Sequence, residues 1–141
     1  MLPHNHFLIA GLTIAPVAII VFPEKSPVEI GEWVLVGGLL SAAIDLDIIA
    51  LVYLKSKKEK RLRPFRNIWE IFRKFKLFKD TISETGVLRT GMKTHLLFSI
   101  LVVLLFYFYL NNYFIPAALG VISHIISDIP NLRRLVHSRE T

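Results

Sequence analysis

LVVLLFYFYL, residues 101–110, holds nothing more polar than two tyrosines in ten positions. Wound as a helix it offers no face for water to wet, and a helix apolar on every side belongs inside a large core or inside a bilayer. A compact soluble protein with buried core helices does not fit this stretch, so an integral membrane protein is expected. The rest of the chain agrees. Residues 94–110 carry no ionisable side chain other than His95 and the tyrosines, His6 to Phe22 carry no Asp, Glu, Lys or Arg, Trp33 to Leu54 are charged only at Asp45 and Asp47, and Tyr113 to Ile129 contain only His124 and Asp128 beside apolar and small residues. A helix needs about 17–25 apolar residues to cross the hydrocarbon, and all four runs reach that length. The shorter ones are expected to stand nearly upright or to have their ends drawn inward.

The chain has 141 residues, 53% of them hydrophobic, and a formal net charge of +6. It has no cysteine, which removes disulfides and thiolate metal sites from consideration. A cleaved leader would want basic residues ahead of the first apolar run. Met1 to Asn5 has none, and no small-x-small site follows Val21, so the first run is expected to remain as a span.

The basic residues are distributed unevenly. Thirteen of the 17 lysines and arginines lie between Lys55 and Lys93, and Arg133, Arg134 and Arg139 follow the last run. The turn 23–32 has only Lys25 against Glu24, Glu29 and Glu32, and the turn at Asn111 and Asn112 is uncharged. The positive-inside rule then sets both termini and the long connector on the cytoplasmic side of an inner membrane. The expected layout is an all-α, polytopic protein: hairpin 1–54, a basic cytoplasmic and interfacial segment 55–93, hairpin 94–132 and a cytoplasmic tail 133–141. Topology also accounts for the positive charge, and no nucleic-acid-binding signature accompanies it, so nucleic acid is not expected as a partner.

Within the connector, Phe65, Ile68, Trp69, Ile71, Phe72, Phe75, Phe78 and Ile82 fall on one half of a helical wheel, with Arg66, Glu70, Arg73 and Lys74 opposite. That pattern predicts one basic amphipathic helix lying in the headgroup plane, held partly by anionic lipid. Pro64 suits its start.

Ionisable residues at membrane depth are costly and mark working sites. His6 and His95 open their runs at the cytoplasmic side. Asp128 lies five residues before Arg133, about 7–8 Å along a helix, with His124 one turn deeper. Asp47, eight residues before Lys55, lies about 12 Å inside. Six acid and imidazole groups from four helices thus occupy one shallow layer, and such a set suits a divalent metal, zinc or manganese. His124 and Asp128 share a helix face. Asp45 and Asp47 stand roughly 200° apart on a regular helix, so both serve one point only if the helix is distorted or each meets a different neighbour. One is expected as a ligand, the other as a second ligand or a general base. Ser41, Ser123, Ser127 and Thr94 are read as packing or outer hydrogen-bonding groups, and Gly37, Gly38 and Gly120 as sites of close helix approach. His4 is expected to be exposed and His137 unrelated.

These residues resemble the YdjM-like family of LexA-regulated inner-membrane proteins, which are membrane-bound metal-dependent hydrolases. The likeness runs through His6 in HFLIAG, Asp45-Leu46-Asp47, Thr94-His95, and the set Gly120, Ser123, His124 and Asp128. It covers nearly the whole chain in order and spacing. Many relatives carry His-Arg where this chain has Thr90 and Gly91, so one imidazole of the pattern is absent. The resemblance implies divalent-metal-assisted hydrolysis.

Taken together, the expectation is hydrolysis of a phosphoester of a lipid-linked substrate at the cytoplasmic leaflet. His6, His95, His124, Asp128 and Asp45 or Asp47 would hold the metal, the remaining aspartate would act as base, and Lys93 and Arg89 would neutralise phosphate. A proton or divalent-ion transporter would need a polar path through both leaflets, which residues 12–21 and 101–110 hardly offer. A protein in which metal is only a structural staple is the other alternative. Membrane lipid is the expected environment, and so small a bundle is compatible with a homodimer.

Overall fold

The computed structural model describes residues 3–137, with side chains as far as residue 129. The side chains of Arg133, Arg134 and His137, and Arg139 altogether, lie outside the described residues, so the charge count of the tail stays a sequence expectation. Among the described residues the chain is all-α. Seven α-helices follow in order: α1 (Pro3–Val21), α2 (Pro27–Ala43), α3 (Leu46–Lys55), α4 (Ile68–Arg73), α5 (Phe75–Glu84), α6 (Val87–Tyr109) and α7 (Phe114–His137), with short 3-10 turns at Lys60–Arg66 and Asn111–Tyr113. Four stretches are long and apolar enough to cross a membrane: Pro3–Val21, Pro27–Lys55, Val87–Tyr109 and Asn111–Ile129. They correspond to the four apolar runs of the sequence.

The chain divides into two compact units. The first takes in the chain as far as Ile44 together with Phe98–Pro130; the second takes in Asp45–Leu97 and the chain after Pro130.

In the first unit, α1 buries a single stripe at every fourth position, namely His6, Ala10, Ile14 and Ala18. The apolar members pack with Trp33 of α2, and Phe22, Val34, Ile115 and Leu119 close around them. His6 is therefore buried because it continues a packed stripe, not because a loop folds over it. The start of α2 is set locally. Pro27 occupies its first turn, and Ser26 and Glu29 form a reciprocal capping box that satisfies two backbone donors left open by helix geometry. Farther along α2 the residues that meet other helices are small. A Cβ on Gly37 would run into the Pro116 carbonyl, one on Gly120 into the Gly37 carbonyl, and one on Gly38 into the Phe7 ring. These glycines let backbones approach as membrane helices commonly do. Gly120 of α7 lies four residues before His124, so this approach sets that histidine in place.

The second unit is built on a cluster of Val52, Leu62, Phe65, Ile71, Phe78, Ile82, Val87 and Leu88, with Ile48, Leu51 and Met92 packed against it. The connector thus packs against the ends of α3 and α6. The continuous amphipathic helix expected over 65–82 is corrected here. The segment is helical but broken into the 3-10 turn, α4 and α5. Asn67 and Lys74 lie at the breaks with φ/ψ of −89/116° and −121/41°. The apolar half of the wheel also divides. Phe65, Ile71, Phe78 and Ile82 are buried, whereas Ile68, Trp69 and Phe72 are exposed. Gly86, with φ +68°, makes the turn from α5 into α6, a left-handed conformation that glycine adopts without a Cβ penalty. An ionic link of Glu59, Arg61 and Glu84 ties the two ends of the connector.

Candidate metal centre

Three of the expected residues meet inside the first unit. His6 and His124 are both fully buried and Asp128 is 2% exposed. The His6 and His124 rings lie with centroids 4.1 Å apart at 33°. The Asp128 carboxylate faces both rings, Oδ1 at 3.7 Å from His6 Nε2 and Oδ2 at 3.7 Å from His124 Nε2. The i, i+4 spacing on α7 supplies the second contact, as the sequence implied. The first requires α1 to pack on α7.

Hydrogen bonds hold this group from outside. Ser41 donates to the His6 carbonyl at 3.3 Å. Ser123 and Ser127 donate to the carbonyls of Gly120 and His124, each at 2.8 Å. Ser127 Oγ is also 2.8 Å from His6 Nδ1.

In the second unit the converse arrangement, one imidazole between two carboxylates, is built on His95, which is 3% exposed. Its Nδ1 lies 2.7 Å from Asp47 Oδ1, and Thr94 donates to Asp47 Oδ2 at 2.7 Å. Its other nitrogen, Nε2, faces Asp45 Oδ1 at 3.8 Å. Asp45 and Asp47 thus address opposite nitrogens of one ring. The chain permits this because helix α2 ends at Ala43 and α3 begins at Leu46, leaving Ile44 and Asp45 as a turn inside the long apolar stretch. An interrupted helix at membrane depth is tolerated where it lines a polar site. The Ile49 N–H reaches the Asp45 carbonyl only at 3.5 Å, a long bond for a helix.

Of the two ways out of that conflict, the structure takes the distorted helix: the two aspartates meet one neighbour, His95, at its opposite nitrogens. The role of free base sketched for one aspartate does not suit Asp47, both of whose oxygens are engaged by Thr94 and His95.

Asp45 belongs to the second unit, where its side chain is 13% exposed beside His95. Within the first unit, His6, His124 and Asp128 each offer a ligand atom, and these atoms all lie within 4.8 Å of one another. This largely buried group could hold a metal ion. The donor set fits one. Two ligand atoms about 2.1 Å from an ion at a tetrahedral angle stand roughly 3.4 Å apart, close to the 3.7 Å between each imidazole and Asp128. That separation is too long for a direct hydrogen bond. Two imidazoles with a carboxylate suit zinc and manganese alike.

Arg89 and Lys93 are exposed, one turn apart on α6 and just ahead of His95. His4 is exposed, as expected. Sequence reasoning assigned Ser127 and Thr94 to packing or outer hydrogen bonds without naming their partners, because no local pattern joins Ser127 to a histidine 121 positions away.

No protein-family model matches this chain, and neither a curated protein nor a solved structure is significantly similar to it.

Proposed function

We propose that this protein is a membrane-embedded, divalent-metal-dependent hydrolase. It cleaves a phosphoester of a lipid-linked substrate at the cytoplasmic leaflet of the inner membrane, with both termini on that side. The observation that carries the reading is a carboxylate held 3.7 Å from the Nε2 atoms of two fully buried histidines. Such groups are expensive to bury in apolar surroundings unless they are paired or serve a cation. The sequence resemblance to YdjM-like hydrolases supports the same chemistry.

His6, His124 and Asp128 would hold the cation. When bound it supplies Lewis-acid chemistry, polarising a phosphoryl oxygen and lowering the pKa of a water. His95 is the proton acceptor: its Nε2 lies beside Asp45, and its Nδ1–H is donated to Asp47. Asp47, held in turn by Thr94, fixes the ring and stabilises the imidazolium formed when Nε2 takes a proton, the logic of a histidine backed by a carboxylate. Arg89 and Lys93, exposed at the start of α6, pair with the phosphate as the headgroup approaches.

The test is elemental analysis of purified wild type beside His124→Ala and Asp128→Ala, followed by hydrolysis assays on a panel of lipid phosphates. Wild type is expected to carry zinc or manganese and to release phosphate, and both variants to lose metal and turnover. Equal, negligible metal in all three would falsify the reading. Metal retained without turnover would assign the ion a structural role, and metal flux in liposomes a transport role.

A further inference from the structure

We propose that Ser127 is a positioning residue that decides which nitrogen of His6 faces the cation; the inference rests on the metal-centre reading above. Ser127 Oγ lies 2.8 Å from two groups at once, the His124 carbonyl oxygen and His6 Nδ1. A serine hydroxyl has one proton to give and lone pairs to receive with, whereas a carbonyl can only accept. Both contacts are hydrogen bonds in a single arrangement: the hydroxyl donates to the carbonyl and accepts from an Nδ1–H.

In a neutral imidazole that places the lone pair on Nε2, the atom 3.7 Å from Asp128. Were the hydroxyl to donate to Nδ1 instead, the proton would sit on Nε2. The His124 carbonyl would then face an oxygen lone pair, and the ring would be closed to a cation. Ser127 lies three residues after His124 on α7, so the helical turn that presents one histidine also carries the hydroxyl that orients the other. Asp47 does the same for His95 by a different chemistry, a carboxylate in place of a hydroxyl. Outer partners of this kind commonly govern metal affinity by 10–100-fold.

The experiment uses the full chain in lipid nanodiscs, labelled with 15N-histidine, stripped of metal and held at a pH where the rings are neutral. The His6 signals are assigned through a His6→Gln sample. Wild type is expected to show the Nδ1–H form of His6, Ser127→Ala to shift toward Nε2–H, and Ser127→Thr, which keeps the hydroxyl, to restore the wild-type pattern. Affinity for zinc alone and manganese alone should fall about 10-fold or more in Ser127→Ala and recover in Ser127→Thr.

An Nε2–H form in wild type overturns the proposal, as does a Ser127→Ala protein with an unchanged tautomer and unchanged zinc affinity. The tautomer is read without metal, which keeps two failures distinct. A wild type that binds neither ion while showing Nδ1–H overturns the metal-centre reading and, with it, the role assigned to Ser127.

Discussion

Asp47 and His95, 48 positions apart in the chain, meet at 2.7 Å between Oδ1 and Nδ1, with the second oxygen of Asp47 taken up by Thr94. A carboxylate with both oxygens engaged is an orienting group. Its contact fixes the proton of His95 on Nδ1 and directs Nε2 toward Asp45. Replacing the carboxylate while keeping its shape should therefore disturb catalysis more than folding. Asp47→Asn is expected to lower kcat by about 100-fold or more, as removal of the carboxylate behind a catalytic histidine does elsewhere, with the thermal midpoint changed little. Steady-state kinetics and unfolding of the same preparation check both halves.

The stripe on α1 and the turn on α7 make a separate prediction about metal. His6→Ala, His124→Ala and Asp128→Ala each remove one donor from the group that lies within 4.8 Å. Each is expected to abolish stoichiometric zinc or manganese, measured by elemental analysis. His4→Ala, at an exposed position on the same helix, should leave metal content at the wild-type level.

Close packing of α2 and α7 sets a third expectation. A Cβ at Gly120 would run into the Gly37 carbonyl, and backbone cannot move aside as a flexible side chain would. Gly120→Ala should destabilise by about 1–3 kcal/mol, the usual cost of overpacking. Gly31→Ala, where nothing lies within 4 Å, should be neutral or gain up to about 1 kcal/mol from helix propensity. Thermal unfolding in one detergent compares the two.

The connector offers a contrast between buried and exposed apolar residues. Ile71 is 6% exposed and Trp69 75%. Ile71→Ala should cost about 2–5 kcal/mol, as large-to-small changes in a core do, and Trp69→Ala should stay within about 0.5 kcal/mol. Unfolding measurements in detergent would show the difference, and equal effects would refute the core described for the second unit.

Acid should loosen that connector in a defined direction. Glu59 has its pKa depressed, first by the hydrogen bond from the Arg61 side chain and then by the Arg61 backbone N–H. The pKa of Glu70 is depressed first by the hydrogen bond from Lys74. A group whose folded pKa is lowered contributes stability that is complete above its ordinary range and is lost as pH falls through the lowered value. Hydrogen-exchange protection across residues 59–84 should thus be level at neutral pH and decline only below the ordinary carboxylate range. Glu59→Gln should flatten part of that decline. Both acids are only partly buried at the surface, so the effect is small.

Much of this could be read from local pattern. Four apolar runs imply four helices because a backbone in hydrocarbon must satisfy its own hydrogen bonds. The pairing of His124 with Asp128 follows from 3.6 residues per turn, as does the conflict between Asp45 and Asp47 on a regular helix. The amphipathic wheel over 65–82 was legible as a pattern, yet its outcome was not. Nothing in the sequence alone says that Phe65, Ile71, Phe78 and Ile82 would pack into a cluster while Ile68, Trp69 and Phe72 stayed outside.

By itself, then, the amino-acid order determined the helices, the membrane character and the chemical types able to serve a cation, since hydrophobicity and helical periodicity act over a few neighbouring residues. Only the tertiary structure decided that Asp47 holds His95, that Ser127 reaches His6, and that the helix breaks at Ile44 and Asp45 so that the two aspartates address opposite nitrogens of one ring. Those choices depend on groups 48 and 121 positions apart, brought together by packing at glycines and small side chains, and no local pattern encodes such a distance.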